Sequence, residues 1–217
     1  MLNMDLNRTV VIKTANQTWQ GSPSEGVWRK PLAREALEHG HTTSLVRFDP
    51  GCSFAEHSHP FGEEIFVLDG VFSDQYGDYT AGTYLRNPPV SKHVPFSQQG
   101  CTLFVKLDQF DPDDSDEVRI DTKSAQWLPG QGKLQVMPLH EFENESIALV
   151  RWPSHSKFQP HMHFGGEEIY VLSGTFIDEY DSYPKDSWIR SPHKSEHCPF
   201  VEEETVIWVK TGHLPTT

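Results

Sequence analysis

Apolar, aromatic and β-branched residues gather in short runs along this chain. Examples are TSLVRF at 43–48, EIFVLDGVF at 64–72, GTYLR at 82–86 and CTLFVK at 101–106. Gly, Pro, Asn and Asp separate them, which is the pattern of strands joined by turns. Leu68-Asp69-Gly70-Val71 reads as a hairpin, because Asp-Gly tolerates the positive φ of a type I′ turn. One stretch, PLAREALEH at 31–39, has a weak helical pattern. Many short strands with almost no helix predict an all-β sandwich or barrel.

The strand pattern is written twice. Residues 57–106 laid on 161–210, at a constant offset of 104, match without a gap at 21 of 50 positions. HSHPFGEEIFVLDGVFSDQYGDY in the first copy answers HMHFGGEEIYVLSGTFIDEYDSY in the second. Upstream, Leu45-Val46-Arg47-Phe48 pairs with Leu149-Val150-Arg151-Trp152, Pro31-Leu32 with Pro138-Leu139, and 10–19 with 118–127. Ser173-Gly174 stands where Asp69-Gly70 does, and PLHEFENES, the counterpart of PLAREALEH, has no helical pattern. The division expected is a first domain over 1–110, an acidic linker over 111–117 and a second domain over 118–217. A unit of ~100 residues can bury its own core.

Charge narrows the function. The 217 residues carry 18 basic and 31 acidic side chains, a net charge of −13. That field repels a phosphate backbone, so no nucleic-acid partner is expected. Part of the excess lies in one run, where Asp111, Asp113, Asp114, Asp116, Glu117 and Asp121 face only Arg119. It reads as a solvated linker. No apolar run approaches the ~20 residues that span a bilayer, and MLNMDLNRTVVIKT has no signal-peptide core. Three scattered cysteines, Cys52, Cys101 and Cys198, form neither a disulfide framework nor a zinc site. The expected location is the cytoplasm.

The 12 histidines carry the chemistry. The first copy offers His57, His59, Glu63 and His93; the second offers His161, His163, Glu167 and His197. On a strand, residues i and i+2 project from one face, so H-x-H presents two imidazoles side by side. A single H-x-H is as often an ordinary hydrogen-bonded pair. Here all four residues recur at identical spacing while their neighbours drift: Ser58/Met162, Pro60/Phe164, Phe61/Gly165. Three neutral imidazoles and a carboxylate suit one divalent metal per copy, whether zinc, iron, manganese, nickel or copper.

These spacings resemble a known family. Gly51-x5-His57-x-His59-x3-Glu63-x6-Gly70 is similar to the first cupin motif, and Gly82-x5-Pro88-x4-His93 to the second. The resemblance implies two tandem cupin (double-stranded β-helix, jelly-roll) barrels. The strings GEEIFVLDGVFSD, GTYLRNPPVSKH and GCTLFVK, with GEEIYVLSGTFID, DSWIRSPHKSEH and TVIWVK, resemble the cupin domain of ChrR-type anti-sigma factors. That implies zinc as first choice and a sensory or regulatory role in a transcriptional stress response, with a sigma factor as partner. The sigma-binding part does not carry over residue by residue, since no H-x3-C-x2-C is present. Other cupins with three His and one Glu are metal-dependent dioxygenases or decarboxylases, so a dioxygenase acting on a small organic molecule is the alternative. Four departures fall in loops. Val90 stands for a motif glycine in the first copy; His155, Asp186 and Lys194 do so in the second.

Further residues recur. Arg86 and Arg190 are read first as ion-pairing residues, with binding of a substrate carboxylate as the alternative. Asp74 with Tyr76, and Asp178 with Tyr180, are read as turn formers. Phe54 and Phe158 are expected in the core. Ile65 and Val67 share parity with Glu63 and are expected to line an apolar pocket for a small-molecule ligand. Cys198 should point away from the metal of its neighbour His197. The altered loop makes the second copy the one more open to loss of activity. Exposed jelly-roll edges make a homodimer a candidate.

Overall fold

A computed structural model describes residues 1–36 and 40–216. Two compact units result. One holds Met1–Met4 and Thr18–Ala125, the other Asp5–Gln17 and Gln126–Thr217. Among the described residues every regular element is a strand, apart from a 3-10 turn at Thr14–Asn16. No helix there is long and apolar enough to cross a membrane. The two-barrel, all-β expectation holds.

The main sheet of the first unit runs Val118–Asp121, Thr83–Asn87, Glu63–Asp74, Cys101–Leu107, Thr42–Phe48, Val27–Arg34, Gln20–Gly21. The second repeats it: Val10–Lys13, Ser187–Ser191, Glu167–Ser173, Thr205–Thr211, Glu145–Trp152, Gln135–Phe142, Leu128–Pro129. Alternate residues face inward, as the period of a strand requires. Val27, Phe48, Ile65, Val67, Phe72, Leu85 and Leu103 form the first core. Trp152, Ile169, Val171, Phe176, Ile189 and Ile207 form the second.

The compact units cross the repeat boundaries. Val118–Asp121, which opens the second copy, pairs antiparallel with Thr83–Asn87 of the first. Val10–Lys13, which opens the first copy, pairs with Ser187–Ser191 of the second. Each copy thus contributes its leading strand to the other unit. An alignment of repeats reveals equivalent strands but not whose open edge each one covers.

Three local expectations change. The Asp69-Gly70 pair makes no hairpin; it lies inside the continuous Glu63–Asp74 strand. The strand bulges at Leu68, passing from partner Leu103 to partner Thr102, and then pairs with Gly77–Thr80. Gly70 keeps the positive φ, at 73°, and a side chain there would collide with the Gly100 carbonyl. The dipeptide therefore bends the strand where it leaves Cys101–Leu107 and takes Gly77–Thr80 as its partner. The helix expected over 31–39 is also not formed at residues 31–34, which complete the Val27–Arg34 strand; residues 37–39 lie outside the described residues. The acidic run is not wholly solvated. Asp114 is buried and ion-pairs with the fully buried Arg86.

The four residues that replace motif glycines keep a left-handed backbone: Val90 (φ 62°), His155 (60°), Asp186 (65°) and Lys194 (63°). The amides of Val90 and Lys194 donate to the carbonyls of His59 and His163. These bonds hold each loop in place without a glycine.

Candidate metal centres

The H-x-H segment and the distant histidine meet by strand pairing. In the first unit His57–His59 pairs antiparallel with Ser91–His93, which places His93 opposite His57. In the second, His161 lies opposite His197. Glu63 and Glu167 enter from the first residue of the adjoining long strand. In each unit the donor atoms of the three imidazoles and the carboxylate lie within 4.8 Å of one another. The structure thus brings together the residues expected in each copy, and each cluster can hold a metal ion.

The ring nitrogens test that fit. His59 Nε2 and His93 Nε2 are buried without a hydrogen-bond partner, each 3.4 Å from Glu63 Oε2. Both ring nitrogens of His163, and Nε2 of His197, are likewise unpartnered. Buried polar atoms without partners are costly. A cation at the centre would satisfy them together. Burial holds His59 below its ordinary pKa against the pull of Glu63. Burial drives His163 down to about 4. Neutral imidazoles are the form a metal needs.

Behind the clusters lie residues the sequence reading did not assign to them. His57 Nδ1 donates to Ala55 O at 3.0 Å and His161 Nδ1 to Gln159 O at 3.1 Å, leaving Nε2 for the centre. Asp74, expected only to form a turn, places Oδ2 3.5 Å from His93 Nδ1. Its Oδ1 accepts from the Tyr76 amide and the Tyr79 hydroxyl. Asp178 repeats this with His197 Nδ1 (3.5 Å), the Tyr180 amide and the Tyr183 hydroxyl. Burial lowers the pKa of His93, but Asp74 and Glu63 outweigh it and the net direction is up. Such carboxylate–histidine contacts orient metal ligands. The recurrence of Asp and Tyr at the same offset was the available signal.

The two clusters differ. Asn87 Nδ2 donates to Glu63 Oε2 at 2.8 Å, and the Arg119 guanidinium donates to Asn87 Oδ1 at 2.5 Å. Ser191 takes the place of Asn87 opposite Glu167. Burial pushes the Glu167 carboxyl up to about 7.

Neither recurring arginine reaches its centre. Arg86 pairs with Asp114 and with Glu64 (3.7 Å), over the Phe110 ring. It is the strand partner of Glu64, so it faces away from Glu63. Arg190 donates to the Asp5 carbonyl. Cys198 turns its sulfur to Phe158 O and lies outside the cluster, as expected.

A cavity of about 570 Å³ opens onto the first cluster. Ile65 lines it, as do Phe54, Phe48, Phe72 and Leu103; Val67 instead lies in the core. Phe54 is thus a cavity wall rather than plain core, with its ring 5.8 Å from that of His57. A pocket of about 370 Å³ in the second unit touches His163, Asp178 and His197.

The family model for the ChrR cupin-like domain matches residues 7–111 and again 115–215. The chain belongs to the ChrR cupin-like family. No curated protein matches this tandem cupin-like chain. Among solved structures, a Nostoc punctiforme protein provisionally assigned as a dioxygenase superposes with TM-score 0.80 at 17% identity, covering 97% of this chain and 86% of its own. A cupin 2 conserved barrel domain protein from Leptotrichia buccalis gives 0.66 at 11%, covering 97% and 99%. Lactobacillus farciminis oxalate decarboxylase gives 0.68 at 12%, covering 96% and 87%. At these identities the likeness is one of fold.

Proposed function

We propose that the protein binds one divalent metal ion in each barrel, through His57, His59, Glu63 and His93 and through His161, His163, Glu167 and His197. The first centre handles a small organic molecule in the manner of a metal-dependent dioxygenase. The observation that carries this reading is the apolar cavity of about 570 Å³ above the first cluster. A structural zinc site is closed and needs no chamber. Ligand pockets are concave, largely apolar and of about this size.

Iron, manganese, nickel or copper bound there would supply open coordination positions and redox chemistry toward O2. The chain's own residues do the rest. Asp74 and the Ala55 carbonyl keep two imidazoles aimed at the centre. Asn87 holds the Glu63 carboxylate. Phe48, Phe54, Ile65 and Phe72 exclude water and orient an apolar substrate. A dioxygenase that cleaves a carbon–carbon bond of its substrate places both atoms of one O2 in the products and needs no external reductant.

A second reading rests on the family match over both copies. In it the centres hold zinc, the first barrel binds a signal molecule, and the chain regulates a stress response through a sigma factor. Elemental analysis on protein purified without added metal separates the two. Near two zinc per chain, with no O2 uptake across a panel of small organic acids, supports the regulator. Iron, manganese, nickel or copper with substrate-dependent O2 uptake supports the dioxygenase.

A further inference from the structure

The wall of the first chamber carries one buried polar side chain besides its metal cluster. Among the described residues around the cavity, His59, Glu63 and His93 belong to the cluster, and Ser44 is the remaining buried polar one. Thr42, Ser44, Val46 and Phe48 all line the cavity, as one inward face of their strand requires. Ser44 is the strand partner of Val105, and Val105 of Ile65, both lining residues. Ile65 stands two positions after Glu63 on its strand. Two strand spacings, about 10 Å, therefore separate the backbone of Ser44 from that of Ile65 beside the cluster. The neighbouring hydroxyls are already bonded. Thr42 Oγ1 donates to the Gly40 carbonyl at 3.1 Å, and Thr43 Oγ1 accepts from the Lys106 ammonium at 3.0 Å. The Ser44 hydroxyl makes no such bond among the described residues and faces the chamber.

The other charged side chains around the cavity are engaged. Glu56 lies 3.8 Å from the Lys92 ammonium. Asp108 accepts from the amides of Phe61 and Gly40, each at 3.1 Å. Arg29, whose guanidinium carbon lies 6.0 Å from the centroid of the Phe54 ring, is engaged as well. In the second copy Ala148 stands at the position of Ser44. It pairs with Val209 as Ser44 pairs with Val105. The wall hydroxyl is thus a property of the first barrel.

We infer that Ser44 sets the specificity of the first chamber, which takes an uncharged, mainly apolar molecule whose hydroxyl or carbonyl oxygen hydrogen-bonds the Ser44 hydroxyl. A serine hydroxyl both donates and accepts, so it serves either oxygen. A charged group at that depth would lie beside Val46 and Val105 with no counter-ion, which is costly. The body of the molecule packs against Phe48, Phe54 and Ile65. This inference rests on the reading of the cavity as a small-molecule chamber.

Calorimetric titration of the zinc-loaded full chain into 2-naphthol, naphthalene and 2-naphthoate tests it. Zinc has no redox chemistry, so the probes are not consumed. Naphthol is expected to bind roughly fivefold more tightly than naphthalene, and naphthoate more weakly than naphthol. Ser44→Ala strands the naphthol hydroxyl and should lower its affinity about tenfold. Naphthalene affinity and zinc content should stay unchanged in that variant. Naphthol binding that survives Ser44→Ala at full strength overturns the inference, since the oxygen then sits on the metal. Naphthol binding no tighter than naphthalene, or naphthoate binding tighter than naphthol, also overturns it and leaves the chamber standing. Binding of none of the three overturns the reading of the chamber, and the inference with it.

Discussion

Asp74 Oδ2 stands 3.5 Å from Nδ1 of His93, on the side of the imidazole away from the metal cluster. The same 3.5 Å separates Asp178 from His197. Two independent stretches of chain thus back the third histidine with a carboxylate, and each carboxylate is itself held by a tyrosine hydroxyl. Removing such a partner costs roughly 10–100-fold in metal affinity. Asp74→Ala is expected to weaken the first site by that factor and leave the second unchanged. Asp74→Asn, which keeps an acceptor, should lose less. Competition with a chromophoric chelator reads both sites, and equal affinity in Asp74→Ala and the unmodified chain would show the contact to be incidental.

His59 is 3% exposed, and its Nε2 has no hydrogen-bond partner. His59→Ala removes one of four donors converging within 4.8 Å. Metal content should fall from about two ions per chain to about one. His163→Ala should do the same, and the double variant should bind none. Unchanged stoichiometry in either single variant would sink the ligand assignment.

Val90 is a β-branched residue at φ 62°, with 82% of its surface exposed. A left-handed conformation costs an L-residue roughly 1–2 kcal/mol, and exposure offers little packing in return. Glycine adopts it freely but loses about 0.5–1 kcal/mol to extra freedom in the unfolded chain. Val90→Gly should therefore stabilise the protein by about 1 kcal/mol or less, a rise in Tm of roughly 2–4 °C or less. Calorimetry of the metal-free protein is the check. A fall in Tm would mean that the exposed isopropyl group makes a contact worth more than the strain.

Asp114 and Asp113 are adjacent acids in one run, yet Asp114 is buried against Arg86 and Asp113 is exposed. Breaking a buried ion pair strands its partner, at about 3–5 kcal/mol. Glu64 still faces Arg86 at 3.7 Å, so Asp114→Ala should cost part of that loss in denaturant unfolding, while Asp113→Ala should stay within about 0.5 kcal/mol of the unmodified chain. Similar effects of the two substitutions would contradict the buried pair.

Much of this was legible in the residues. The ligand sets could be read because H-x-H on a strand and a repeat at constant offset are local facts, and the duplication served as a control on chance. Phe54 and Phe158 announced themselves as apolar, but only the closed barrel turned Phe54 into the wall beside His57. Asp74 looked like a turn former, and it is one; its second oxygen reaches a histidine nearly twenty residues away in sequence, which no local pattern reveals. Asn87 was hidden for a like reason, because its contact with Glu63 depends on strand register.

By itself the sequence determined the strand content, the doubling, the eight candidate ligands and the faces on which they stand. Those follow from the two-residue period of a strand and from repetition, both of which act within a few residues. Tertiary structure alone decided the rest. It showed that the leading strand of each copy covers an edge in the other's unit, that Asp69-Gly70 bends a strand instead of reversing it, and that Arg86 is consumed by Asp114. It also placed Arg29 on the wall of the first chamber. Each of these depends on which distant backbone edge or charge is nearest once the sheets have closed. That is a property of packing, and composition and spacing do not encode it locally.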